Sequence, residues 1–156
     1  DIPMSQKLGM DAKLYFKADG AEPPPITPGS WTELTNAKDV TLNLERGEAD
    51  VTTRGNNGWR ATAATLKDGT IEFEMVWDTA DAGFTAIRDA YFNNTAIGFL
   101  CLDGGIEVEG SQGLLADFAV TNFSRNEPLE EAITVNVTIK PTYSAVPAQW
   151  YTVPAP

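Results

Sequence analysis

Three carboxylates, Glu72, Glu74 and Asp78, form the strongest catalytic candidate in this sequence. On a β-strand, residues two apart share a face about 7 Å apart, so Glu72 and Glu74 would stand side by side. Paired carboxylates on a sheet face can hydrolyse glycosides, one as acid and the other as base or nucleophile. The plainer reading of the same residues is a solvated acidic face.

Other chemistry is thinly supported. The chain has no histidine, which removes the commonest general base, the commonest metal ligand and every Ser-His or Cys-His pair. Its one cysteine, Cys101, sits in the apolar run IGFLCL. Burial there disfavours the reactive thiolate, so an inert thiol is expected. No calcium-loop spacing and no Cys cluster is present. GNNG at 55–58 lacks the spacing and the lysine of a phosphate loop. Asn93, Asn122 and Asn136 each open an N-x-Ser/Thr triplet, which we read as chance. We expect no cofactor, no metal and no catalysis.

Charge bears on partners. Eleven Lys and Arg face 22 Asp and Glu, a net charge of -11 over 156 residues. Binding of nucleic acid through its phosphates needs clustered cations, so the chain should repel DNA, RNA and acidic membranes. No apolar run reaches the ~18 residues of a membrane span. The first ten residues lack the apolar stretch of a signal peptide.

The elements that must position these residues are mostly strands. Residues 12–18 read as a strand, and the proline-rich 20–30 as a loop. In 40–46, Val40, Leu42 and Leu44 alternate with polar residues, which predicts a half-buried strand. The stretch 47–59 centres on RGNNG, turn chemistry inside a long hairpin or wide exposed loop. In 70–78, Ile71, Phe73, Met75 and Trp77 share one face. The helical spacing of Phe84, Ile87 and Tyr91 predicts one helix over 79–93, capped by Asp78 or Thr79. Strands follow at 95–102, 114–124 and 132–140, with a short strand or rim at 106–109. Residues 1–11 show no clear period and read as a flexible arm. The tail 144–156 reads as a second arm, too proline-rich for a regular strand. It carries Trp150, Tyr151 and Val153, which need a surface to dock on, in this subunit or a neighbour. The expected fold is one mainly-β domain over 1–156, a β-sandwich or open barrel with one flanking helix.

The order of these features resembles the major tail tube proteins of long-tailed, non-contractile phages. The stretch 34–79 carries the likeness through a valine-rich strand, DVTT at Asp50 to Thr53, a glycine-containing turn ending at Trp59, and LKDGT at 66–70. The helix DAGFTAIRDAYFNN and the closing strands of 113–142 fit the same order. The resemblance covers about residues 10–143. It implies a subunit similar in fold to the type VI secretion tube protein. Six subunits would form a ring whose inner sheets join into one β-barrel around a channel, with loops and arms bridging stacked rings.

On that basis the self-assembly interface is expected at Asp50, Thr52, Thr53, Arg54, Asn56, Asn57, Trp59 and Arg60. Arg54 and Arg60 would pair with carboxylates of the next subunit, while Asn56, Asn57 and Trp59 fix the loop. The partners implied are further copies of the chain, other phage tail proteins, and genomic DNA in transit only, with no membrane. The implied location is the virion tail, assembled in the host cytoplasm. Acidity fits a wall that DNA must slide past. Two other readings stay open: a carbohydrate-binding β-sandwich using Trp31, Trp59 or Trp150, and a glycosidase built on Glu72, Glu74 and Asp78.

Overall fold

The computed structural model describes residues 12–127 and 129–155. The arm expected at 1–11 lies outside the described residues. Among the described residues strands dominate: β1 (Lys13–Lys17), β2 (Thr32–Glu33), β3 (Ala37–Asp50), β4 (Thr62–Val76), β5 (Ile97–Leu102), β6 (Gln112–Asn126), β7 (Thr134–Pro141) and β8 (Gln149–Thr152), with one α-helix, α1 (Ala82–Asn93), between β4 and β5. All pairings are antiparallel, in one eight-stranded sheet of order β2-β1-β5-β6-β7-β4-β3, with β8 added beside β6. The fold is thus mainly β with one flanking helix, as expected, and the sheet is not closed into a barrel.

β6 is the hinge of the architecture. Its first half, to Phe118, lies between β5 and β8. From Phe118 onward it pairs with β7. A bulge at Thr121, the extra residue between the Val120 and Asn122 pairings, falls in this second half. Bulges bend strands and raise local twist. The sheet curls so far that Phe73 of β4 and Phe99 of β5, three strands apart in order, bring their rings within 6.3 Å. A flat sheet would hold those strands roughly 14 Å apart.

Inside the curl lies the main core, which includes Phe16, Ile71, Phe73, Met75, Phe99, Phe118, Val135, Val137 and Ile139, closed by Phe84 and Ile87 of α1. Trp77 meets Phe84 edge-on at 4.7 Å. A second cluster covers the outer face of the β1–β5–β6 half, joining Tyr15, Leu100 and Leu115 to Ile26, Trp31, Tyr151 and Val153. Strands covered on both faces need apolar residues at consecutive positions. This explains the runs IGFLCL and GLLADF, where period two disappears.

Four local expectations need correction. Asp81, not Asp78 or Thr79, caps α1: its carboxylate accepts from Phe84 N–H at 2.9 Å, and the helix starts at Ala82. Asp78 instead accepts from Ala80 N–H in the preceding turn. Residues 106–109 form turns, not a strand. The tail does contain a strand, β8, because Pro147 and Pro154 flank Gln149–Thr152 and leave its ladder donors intact. The apolar side of β3 is not half-buried throughout: Val40 is 39% and Leu44 55% exposed.

Candidate self-assembly interface

β3 and β4 pair as a long ribbon from Ala37↔Met75 to Asp50↔Thr62. Beyond Gly69 no third strand among the described residues supports it, and both its faces meet solvent. Polar and β-branched residues keep it extended. At its tip, Thr52 and Asp50 replace ladder bonds with side-chain ones. The Asp50 carboxylate accepts from Thr52 N–H at 2.9 Å and from Thr52 Oγ1 at 2.6 Å. Thr52 Oγ1 in turn accepts from Ala61 N–H at 2.9 Å. The hydrogen bonds from Thr52 hold the Asp50 carboxyl below its ordinary value near 3.8. The chain reverses through a 3-10 turn, Arg54–Asn56, and through Asn57 and Gly58 at φ 51° and 84°. Only such residues adopt those angles cheaply.

The expected interface residues therefore share one tip, with Thr53 as the N-cap of the 3-10 turn. Their roles differ from expectation in one respect. Trp59 is 79% exposed and so does little to fix the loop among the described residues, where the Asp50–Thr52 pair holds the tip instead. Arg54 and Arg60 form no ion pair with any described residue.

Two sheet edges stay open among the described residues. β3 pairs only with β4, so its outer edge is free along fourteen residues. β6 loses β5 after Phe118, so its second half is free on the side away from β7. Both edges belong to one four-strand half, β6–β7–β4–β3. Its outward face is read from the register: Lys38, Thr41, Asn43 and Glu45 on β3; Asp68, Thr70, Glu72, Glu74 and the one apolar exception, Val76, on β4; Thr134, Asn136, Thr138 and Lys140 on β7; Asn122, Ser124 and Asn126 on β6. This face carries four carboxylates, two lysines and no arginine.

A comparison with family models decides what this architecture is. The model of the phage tail tube protein matches residues 8–142, most of the chain. The chain belongs to the phage tail tube protein family. No curated protein matches it significantly. Among solved structures, the chain is similar to one from the virion of a native gene transfer agent particle, at 11% identity and TM-score 0.69, covering 94% of this chain and all of that one. A chain from the tail of the empty particle, computed with C6 symmetry, scores 0.69 at 14% identity with the same coverage. The SPP1 tail tube scores 0.67 at 17% identity, covering 96% of this chain and 81% of that one. At such identities the likeness establishes a shared fold.

The tail tube protein is a structural component of the virion tail and not an enzyme. Its candidate carboxylates do not converge. Glu72 and Glu74 line a shallow depression on the polar face with Thr41, Asn122, Asn136 and Thr138, and Asp78 is not part of it. Glu74 is paired with Lys38 at 3.4 Å. The tryptophans do not form one sugar platform either. Trp31 is buried and donates to Glu22 at 3.1 Å, Trp59 stands at the ribbon tip, and Trp150 lies on β8, 53% exposed, donating to Gln112 at 2.9 Å. Tyr151 and Val153 are buried on their own subunit. Cys101 is partly buried, and burial pushes its thiol up to about 11.

One residue escaped the sequence reading. Asp117 is a buried carboxylate that accepts from Ala21 N–H at 2.6 Å and from the Ser144 hydroxyl, while its carbonyl accepts from Thr142 N–H at 3.0 Å. It fastens the proline-rich loop and the C-terminal segment to β6. The available signal was a lone charge inside LLADFAV.

Proposed function

We propose that this tail tube protein assembles into six-membered rings that stack into a conduit for the phage genome. The observation that carries the reading is the pair of free edges on one half-sheet with a polar face. A long free edge invites pairing with another chain. Here the two edges differ, so β3 of one copy pairs with the second half of β6 in the next. Such a contact is heterologous and closes as a ring. Six half-sheets bring about 24 strands; at ~4.8 Å spacing and ~40° tilt they form a cylinder roughly 45–50 Å across its backbone.

In this arrangement the polar face lines the lumen, and α1, on the opposite side of the sheet, faces out. Threonine, asparagine and excess carboxylate offer phosphates nothing to release counterions against, so DNA passes without being held. The ribbon tip, with Arg54, Trp59 and Arg60, reaches the adjacent ring. Other tail proteins cap the tube, and assembly proceeds in the host cytoplasm.

Labelling of assembled tubes tests the reading. In a Cys101→Ala background, Asp89→Cys on α1 should react with a bulky maleimide, while Asn136→Cys should stay protected. Helical reconstruction should show sixfold symmetry. A labelled Asn136→Cys with a protected Asp89→Cys, or a different symmetry, would overturn it.

A further inference from the structure

The ribbon tip holds the residues for a reaction that needs neither partner nor cofactor. The chain has nine asparagines, and only Asn57 is followed by glycine. The side-chain carbonyl of an asparagine and the next backbone nitrogen are spaced to close a five-membered ring. A Cβ on the following residue crowds that approach, and glycine has none. Around Gly58 there is room to spare: a Cβ built there would meet nothing within 4 Å. Asn57 is exposed. The Gly58 N–H donates to no backbone acceptor among the described residues. Both residues sit in the left-handed region, at φ 51° and 84°, in a turn outside the ladder. The peptide plane between them is therefore free to swing until its nitrogen faces the side-chain carbon.

Comparable pairs elsewhere are held. Asp19–Gly20, Asp68–Gly69 and Asp103–Gly104 have the atoms for the same ring. Gly20 N–H donates to the Lys17 carbonyl at 3.0 Å. Asp68 and Gly69 lie in register with Glu45 and Leu44 inside the ribbon. The Asp103 carboxylate accepts from Gln112 N–H at 3.0 Å. Among the other asparagines, the Asn36 amide donates to the Val76 carbonyl at 3.0 Å, and Asn122 accepts from the Ser124 hydroxyl at 2.6 Å.

We propose that Asn57 is a site of spontaneous modification, deamidating through a cyclic imide with Gly58 and so removing the positive charge of the tip. The Gly58 nitrogen gives its proton to a solvent base and attacks Cγ of Asn57. The Cγ–Nδ2 bond breaks and ammonia leaves. Water then opens the imide at either carbonyl, leaving an aspartate or an isoaspartyl linkage. One water enters, one ammonia departs, and nothing is oxidised or reduced. From Asp50 to Arg60 the tip has one acid and two arginines, a formal charge of +1. The new carboxylate brings that to zero, and the chain from -11 to -12. The isoaspartyl product also adds one carbon to the main chain at the left-handed corner. Both changes fall between Arg54 and Arg60, neither of which is ion-paired with a described residue. The inference does not depend on how the subunits assemble.

The full chain, held folded in mildly alkaline buffer and followed by ion exchange and peptide mapping, tests this. A more acidic form should accumulate, with one added negative charge and a mass increase of about one unit, both mapped to residue 57. Because Gly58 lacks a Cβ, the rate at Asn57 should exceed that at every other asparagine by about tenfold or more. Asn57→Gly keeps the left-handed corner and should abolish the acidic form. An acidic form that persists in this variant, or equal rates at several asparagines, overturns the proposal. So does a reaction seen only after unfolding in urea, because the folded turn would then protect Asn57.

Discussion

The strands β5 and β3 invite comparison. Both carry alternating or continuous apolar residues, IGFLCL in one and Val40, Leu42 and Leu44 in the other. β5 lies inside the sheet with nearly every residue buried. β3 is more than twice as long, pairs on one edge only, and has no buried residue. The continuous run of β5 signals cover on both faces and the alternation of β3 cover on one, but the pattern does not say whether the chain itself supplies that cover. What differs is the number of neighbours the chain itself provides. β5 has β1, β6 and two covering clusters, whereas β3 has β4 and, beyond Gly69, nothing else among the described residues. Where one chain leaves a strand edge uncovered, the assembly proposed above would supply the neighbour that the chain lacks.

The comparison can be broken hardest in the body. Phe84 has no exposed surface and packs against Trp77 and Phe123. Phe84→Ala should cost about 3–5 kcal/mol, read as a large fall in the urea midpoint of the isolated subunit. A loss under about 1 kcal/mol would mean that α1 does not close the core. In the ribbon the expected signature is reversed. Leu44→Lys and Trp59→Ala should change subunit stability by no more than about 0.5 kcal/mol yet abolish ring or tube formation in negative-stain micrographs. Normal tubes from both variants would remove β3 and the tip from the interface.

The smallest effect concerns the tip alone. The carboxyl of Asp50 is lowered in the folded chain by its hydrogen bonds to Thr52, so the folded state holds the proton less tightly than the unfolded state does. Its contribution is therefore present above the ordinary value near 3.8 and is lost as pH falls through the lower folded value. Amide exchange at Thr52 and Ala61 should accelerate in that acid range relative to a matched strand-centre amide, and Asp50→Asn should weaken this pH dependence. An identical profile in the variant would assign the effect to another group.

Much of the strand order was legible because buried faces impose period two on β4 and β7 and period 3.6 on α1. The tip was legible for a different reason: Asn57 and Gly58 are among the few residues that take a left-handed turn without strain. The sequence reading failed where a signal had two meanings. Prolines in the tail argued against a strand, yet they only bracket β8. Asp78, Thr79 and Asp81 are all competent caps, and the helix start selects among them only when Phe84 and Ile87 find the core. Asp117 was unreadable as a clamp because its partners, Ala21 and Ser144, lie 96 and 27 residues away.

By itself the sequence determined the local alphabet of this protein: which stretches extend, which one coils, where the chain turns, and that its surface is acidic and free of histidine. Those properties rest on backbone sterics, side-chain period and charge, all of which act over a few residues. Only the tertiary structure decided which apolar strand would be enclosed and which left open, that β6 would bend to serve two half-sheets, and that the carboxylates of β4 would spread over a polar wall instead of meeting in a cleft. These outcomes depend on contacts between distant segments, and no short-range pattern encodes how many neighbours a strand will finally have.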